Sequence, residues 1–196
     1  MDPVRIVSGT VCALDRKNVD TDQIIPAVHL KRIERSGYGR FLFESWRADP
    51  AFELNRPEYA GAAILVAGDN FGCGSSREHA AWALHDYGFR AVIAPSLGDI
   101  FRNNAGKNGL LAITLPEADV RELIGSAPAA TTVDLEREVV VLPSGREVGF
   151  SIDAGLRHRL LNGLDDIALT LQRVDEIAAY EATRERPGPS TLLLPG

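Results

Sequence analysis

The first apolar segment, Val4 to Leu14, is rich in β-branched residues and breaks at Asp15-Arg16-Lys17-Asn18, which predicts a strand running into a polar loop. From there to Pro57 the apolar groups are short: Ile24-Ile25 before Pro26, then an aromatic cluster around Phe41, Phe43 and Trp46. Short helices joined by loops are expected. The pattern sharpens at Ala62 to Ala67, a continuous apolar run ended by Gly68, the signature of a strand buried on both faces. A glycine-rich loop follows, then Ala80, Ala83, Leu84 and Tyr87 at helical spacing, stopped by Gly88. Arg90 to Ala94 reads as a second buried strand, Ser96 and Asp99 as the opening of a helix that Gly109 closes, and Leu110 to Leu115 as a third strand. Strand, helix, strand, helix, strand predicts an α/β fold with parallel crossovers.

Beyond this unit Pro116 opens a helix carrying Val120, Leu123 and Ile124, which Ala127-Pro128 ends. Thr131 to Leu135, Val139 to Leu142 and Val148 to Ile152 read as short strands, the last two joined by a Pro143-Ser144-Gly145-Arg146 turn. A helix from Ala154 to Asn162 precedes a longer one, whose stripe of Leu164, Ile167, Ala168, Leu171, Val174 and Ala178 follows Asp165 and Asp166, acids suited to a helix start. Arg184 to Gly196 is rich in Pro and Gly and is expected to be loosely held. With no internal repeat and no long linker, residues 1–183 are expected to form one domain, with 184–196 as a tail.

Composition narrows the function classes. The 196 residues are 45% hydrophobic, enough for one buried core. Twenty-one basic against 27 acidic residues leave a charge of −6, with no basic run, so nothing electrostatic recommends nucleic acid. Two cysteines, Cys12 and Cys73, are too few for a disulfide framework, an iron–sulfur cluster or a Cys-based zinc site. No leader pattern opens the chain and no segment approaches about 18 consecutive apolar residues, so a cytoplasmic protein without a membrane span is expected.

Chemistry concentrates in Gly68-Asp69-Asn70-Phe71-Gly72-Cys73-Gly74-Ser75-Ser76-Arg77-Glu78-His79. Glycines between a buried strand and a helix let backbone approach a ligand, and the first free amides of the helix favour an anion. Ser75 with Glu78 also fits a capping box, which needs no function. Arg77 tips the balance, because a cation placed in the first helical turn opposes the helix dipole by about 0.3–1 kcal/mol. Its guanidinium suits bidentate pairing with a carboxylate. The Walker, dinucleotide and lipase-elbow patterns are all missing. His79 and His85 do not share a helix face, His29 and His158 are isolated, and no metal site is expected. Cys73 reads as a small residue in a tight loop before a reactive thiol. A second stretch, Asn18 to Pro26, holds Asp20 and Asp22, which suit either a capped turn, a cation or the orientation of another side chain. His29-Leu30-Lys31-Arg32 beyond it is either a solvated face or a second anion contact.

Asp20-Thr21-Asp22-Gln23-Ile24-Ile25-Pro26, Phe71 to Ala80 with its Gly-Ser-Ser-Arg-Glu-His core, Gly98-Asp99-Ile100-Phe101-Arg102-Asn103-Asn104, Asn108-Gly109-Leu110-Leu111 and Gly163-Leu164-Asp165-Asp166-Ile167 stand in the order of motifs in a known family. Together they resemble the small subunits of 3-isopropylmalate dehydratase, in the aconitase superfamily, over about Asn18 to Ala182. The resemblance implies a swivelling β/β/α domain that closes over a 4Fe-4S cluster carried by a separate large subunit, this chain binding no cofactor itself. It implies a dicarboxylate substrate, a heterodimer, and a hydro-lyase of leucine biosynthesis that removes water and adds it back in the other orientation. By the same resemblance Ser75 is the base, Asp22 a supporting carboxylate, Arg77 the binder of a substrate carboxylate and Ser76 a neighbouring hydrogen-bonding group. Leu30, Lys31 and Arg32 would read the substituent. Alternatives are a homoaconitase small subunit, a citraconate- or methylmalate-type hydratase, or a non-catalytic carboxylate-binding regulatory module in which Ser75 only caps a helix.

Overall fold

Strand β1 (Ile6–Leu14) lies at the middle of a seven-stranded sheet that the chain extends in two styles. The computed structural model describes residues 1–34 and 36–184; apart from Arg184, the expected loose tail lies outside them. After β1 come α1 (Thr21–Ile24) and α2 (Glu44–Arg47), with 3-10 turns at Ala27–Lys31, Gly39–Phe41, Glu53–Asn55 and Pro57–Tyr59. The crossover unit follows: β2 (Ile64–Ala67), α3 (Glu78–Tyr87), β3 (Ala91–Ala94), α4 (Asp99–Lys107) and β4 (Leu111–Thr114). Then come α5 (Glu117–Ser126), the strands β5 (Ala130–Asp134), β6 (Val139–Val141) and β7 (Glu147–Gly149), and the helices α6 (Ala154–Asn162), α7 (Asp166–Leu171) and α8 (Val174–Thr183).

Strand order is β4-β3-β2-β1-β5-β6-β7. The first four strands pair in parallel, with Val11 opposite Ile64, Leu65 opposite Val92 and Val92 opposite Ala112; β5, β6 and β7 continue as an antiparallel meander. The expected α/β class is what the chain adopts. Its β2 and β3 are buried at every position, as their unbroken apolar runs require when helices cover both faces. On one face Cys12, Leu14, Leu65 and Val92 meet Ala80, Leu84, Phe101 and Ala105 of α3 and α4. On the other, Val11, Ile64, Val66 and Ile93 meet Val120, Leu123 and Leu160 of α5 and α6.

Two local expectations are corrected. The long C-terminal helix is two helices, α7 and α8, parted at Gln172 and Arg173, where Arg173 leaves helical geometry (φ −110°, ψ 24°) and pairs with Glu176. Its apolar stripe also faces outward, Ile167, Leu171 and Val174 being exposed. Ser96 does not open α4, whose cap position is Gly98; its hydroxyl instead donates to Asp69 Oδ1 at 2.6 Å.

Candidate active site

Three loops leave the carboxyl ends of β1, β2 and β3 side by side, the place where open parallel sheets expose backbone to ligands. Ladder-like bonds bind them together. Asn18 N donates to Asp69 O at 2.9 Å, Gly72 N to Val19 O at 2.7 Å, Thr21 N to Cys73 O at 3.0 Å and Gly98 N to Phe71 O at 2.9 Å. The loop after β2 is therefore held on both sides, with single parallel bridges at Asp20–Cys73 and Phe71–Leu97. Side chains reinforce the clamp: Asn70 Nδ2 donates to Asn18 Oδ1 at 2.8 Å, and Ser96 Oγ accepts from Asn70 N at 2.9 Å.

The glycines here serve loop packing before ligand access. A Cβ on Gly72 would lie 2.3 Å from Phe101 Cγ, on a backbone with φ +74°, and one on Gly98 would lie 2.4 Å from Gly72 O. Neither approach is open to a larger residue.

Ser75 and Ser76 stand at the exposed tip of this loop, and neither hydroxyl makes a hydrogen bond among the described residues. Thr21, buried, donates from Oγ1 to the Ser75 carbonyl at 3.2 Å and so fixes the backbone of the tip. Arg77 is the cap residue of α3 and stands in extended geometry (φ −121°, ψ 113°), which corrects its expected place in the first helical turn. No side chain among the described residues caps this helix, so the Ser75–Glu78 capping box that the spacing allowed does not form, and the leading amides of α3 are left to meet an anion. The side chain of Arg77 is only 16% exposed and pairs through Nη1 with Asp22 Oδ1. Asp22 thus orients another side chain, while Asp20 caps α1, accepting from Gln23 N at 2.8 Å as Gln23 Oε1 accepts from Asp20 N at 3.0 Å.

Leu30 and Lys31 close the 3-10 turn after Pro26, Leu30 half-buried and Lys31 exposed; neither hydrogen-bonds or ion-pairs with the Ser75–Arg77 tip among the described residues. Arg32 turns inward, its guanidinium 5.8 Å from the Tyr38 ring and 5.4 Å from the Phe41 ring. Tyr38 packs edge-on against His79 in the first turn of α3, with ring centroids 5.2 Å apart, so Arg32 reaches the site's helix through an aromatic relay. Burial pushes the His79 imidazole below its ordinary range, with Arg77 adding to the effect and Glu78 opposing it. Sequence reasoning missed Thr21 and Tyr38. Thr21 looks like a turn residue between two acids, and Tyr38 like one more aromatic.

The cysteines do not suit a cluster or a metal. Burial, with the nearby charge of Glu53, pushes the Cys12 thiol up to about 12, and burial with Asp20 raises that of Cys73. Thiolate is the form a metal binds. Among the described residues no three His, Cys, Asp or Glu side chains gather as a ligand set.

Comparison with known proteins bears on the family and the fold. Residues 1–118 match the aconitase C-terminal domain, and residues 166–186 match the C-terminal domain of the 3-isopropylmalate dehydratase small subunit. The 3-isopropylmalate dehydratase small subunit of Rubrobacter xylanophilus is 56% identical over 196 residues, 98% of this chain and 100% of its own. That of Acidothermus cellulolyticus is 58% identical over 97% of this chain and 98% of its own. Among solved structures, 3-isopropylmalate dehydratase of Methanocaldococcus jannaschii superimposes with a TM-score of 0.67 at 28% identity, covering 90% of this chain and 99% of that one. With the fold, the motif order and the full-length likeness in agreement, the chain belongs to the 3-isopropylmalate dehydratase small-subunit family of hydro-lyases, built on the aconitase C-terminal domain.

Proposed function

We propose that this chain supplies the proton-transferring and carboxylate-binding half of an enzyme that interconverts 2-isopropylmalate and 3-isopropylmalate in leucine biosynthesis, the other half coming from a large subunit. One observation carries the reading: a largely buried arginine, pinned by Asp22, stands at an uncapped helix start beside two exposed hydroxyls. Arg77 has donors left over from Asp22 for a substrate carboxylate, and the open amides of α3 add a second anion contact. Ser76 hydrogen-bonds nearby. Ser75, as alkoxide, takes the proton from one substrate carbon as the hydroxyl leaves the neighbouring carbon toward the large subunit's half of the site, where the cluster would supply a Lewis acid. As hydroxyl, Ser75 then returns the proton to that neighbouring carbon while the hydroxyl adds to the carbon first deprotonated. A serine is a weak base at neutral pH, so its anion must be stabilised, and the helix amides and the guanidinium are the groups at hand.

Asp22 acts by holding Arg77. Leu30, Lys31 and Arg32 read the substituent, Leu30 favouring an apolar one. The relatives' name, small subunit, supports a large-subunit partner, and the described residues, which gather no three-member His, Cys, Asp or Glu ligand set, support placing the 4Fe-4S cluster on that partner. No helix among the described residues is long and apolar enough to cross a membrane, which suits a cytoplasmic enzyme.

Reconstitution tests the reading. The chain with its large subunit is expected to turn over 2-isopropylmalate, and the chain alone is not. Turnover by the isolated chain, or a strong preference of the complex for homoaconitate, would overturn it.

A further inference from the structure

Residues 19–22 run beside residues 72–77, and each contact between the two stretches holds a different part of the Ser75 loop. Gly72 N donates to Val19 O at 2.7 Å and Thr21 N to Cys73 O at 3.0 Å, which fixes the loop as far as Cys73. Gly74 then turns at φ +90°. Beyond that turn neither Ser75 nor Ser76 makes a backbone–backbone hydrogen bond among the described residues. Two side chains reach the tip instead: Thr21 Oγ1 donates to the Ser75 carbonyl at 3.2 Å, and Asp22 pairs with Arg77. The short helix α1 that carries both is itself firmly set, since Asp20 and Gln23 cap it reciprocally and Ile24 and Ile25 are fully buried.

The Thr21 hydroxyl decides more than where one carbonyl lies. The Ser75–Ser76 peptide is trans and planar, so its C=O and N–H point in opposite directions. Thr21 is 1% exposed, and a carbonyl turned toward its hydroxyl is therefore turned inward. The Ser76 N–H is thereby turned outward, to the side where Ser75 and Ser76 are exposed, and it donates no hydrogen bond among the described residues. In this orientation the peptide meets an anion with a donor; rotated by half a turn it would meet the same anion with a carbonyl oxygen. Thr21 Oγ1 is the one group that selects between the two, because no other hydrogen bond reaches this peptide among the described residues. A threonine suits the task, since branching at Cβ restricts χ1 and keeps the hydroxyl aimed.

We propose that Thr21 is a positioning residue for proton transfer: its hydroxyl locks the Ser75–Ser76 peptide so that the Ser76 N–H stays turned toward the anion formed at the Ser75 side chain. The proposal rests on the reading of Ser75 as the base, and it divides the work of α1, Thr21 serving the base and Asp22 the carboxylate-binding Arg77. Two substitutions in the full chain, assembled with the large subunit, separate the hydroxyl from the methyl. Thr21→Val keeps the shape and the backbone bonds and loses the donor; Thr21→Ser keeps the donor and loses packing. Both complexes are assayed with 2-isopropylmalate below their melting transitions, per mole of assembled enzyme. For Thr21→Val, kcat is expected to fall at least tenfold while KM stays within threefold, because Arg77 keeps its partner. Thr21→Ser is expected to hold kcat within threefold of wild type, even where it melts at the lower temperature. Equal losses in the two variants, or a greater loss in Thr21→Ser, would mark a packing role and overturn the proposal. So would a Thr21→Val complex whose kcat stays within twofold of wild type. Each of these outcomes leaves the base itself standing, since Ser75→Ala tests it separately, whereas a wild-type complex without turnover removes the two-subunit reading and this proposal with it.

Discussion

Arg77 and Asp22 are 55 residues apart in the chain, and their pairing is the contact on which the site turns. Each residue type was legible as a candidate from its motif; the partnership was not, because spacing within a motif says nothing about which loops lie side by side. The pairing also offsets the cost of a cation at a helix start. Arg77→Lys keeps the charge but loses the planar fork, so kcat/KM of the assembled enzyme should fall about 10- to 100-fold, the equivalent of about 1.5–3 kcal/mol for a charged hydrogen bond. Steady-state kinetics with 2-isopropylmalate reads this directly. Ser75 illustrates the converse: its spacing to Glu78 matched a capping box, yet the cap position falls on Arg77 and the hydroxyl, exposed, makes no hydrogen bond among the described residues. Ser75→Ala should therefore change stability by less than about 0.5 kcal/mol in urea unfolding, as for an exposed surface position; a loss near 1 kcal/mol would restore the helix-capping role and with it the regulatory-module alternative.

Elements buried on both faces were the most legible, because β2 and β3 announce themselves as unbroken apolar runs between turn residues. Their ends were less so. Ser96 matched a helix opener but spends its hydroxyl on Asp69, a contact between loops that no local pattern encodes. The stripe on α7 and α8 was legible as amphipathic; amphipathicity does not tell whether the covering partner lies in the same chain, and here Leu171 and Val174 face solvent. The loops after β1, β2 and β3 owe their alignment to backbone contacts so close that side chains are excluded. Gly98→Ala places a Cβ against Gly72 O and should force the β2 loop off its neighbour, costing about 1–3 kcal/mol of stability. Thermal unfolding checks the loss, and turnover should drop with it because the Ser75 tip is carried by the displaced loop.

The whole molecule has a closed half and an open half. Its sheet is covered on both faces by helices and turns, while the carboxyl edge of the parallel strands presents exposed hydroxyls, a pinned guanidinium and an uncapped helix. The low cysteine count removes structural possibilities, and among the described residues no three His, Cys, Asp or Glu side chains gather as a ligand set. Together these features fit the proposed reading of one half of a site that a large subunit would complete. The most direct test compares the complex built with the Ser75→Ala chain to the wild-type complex, measuring 2-isopropylmalate turnover and affinity for the large subunit on the same preparations. Turnover is expected to fall by about 10²- to 10⁴-fold, the range for loss of a general base, with affinity unchanged within twofold. Turnover that stays within twofold of wild type would contradict a base at Ser75.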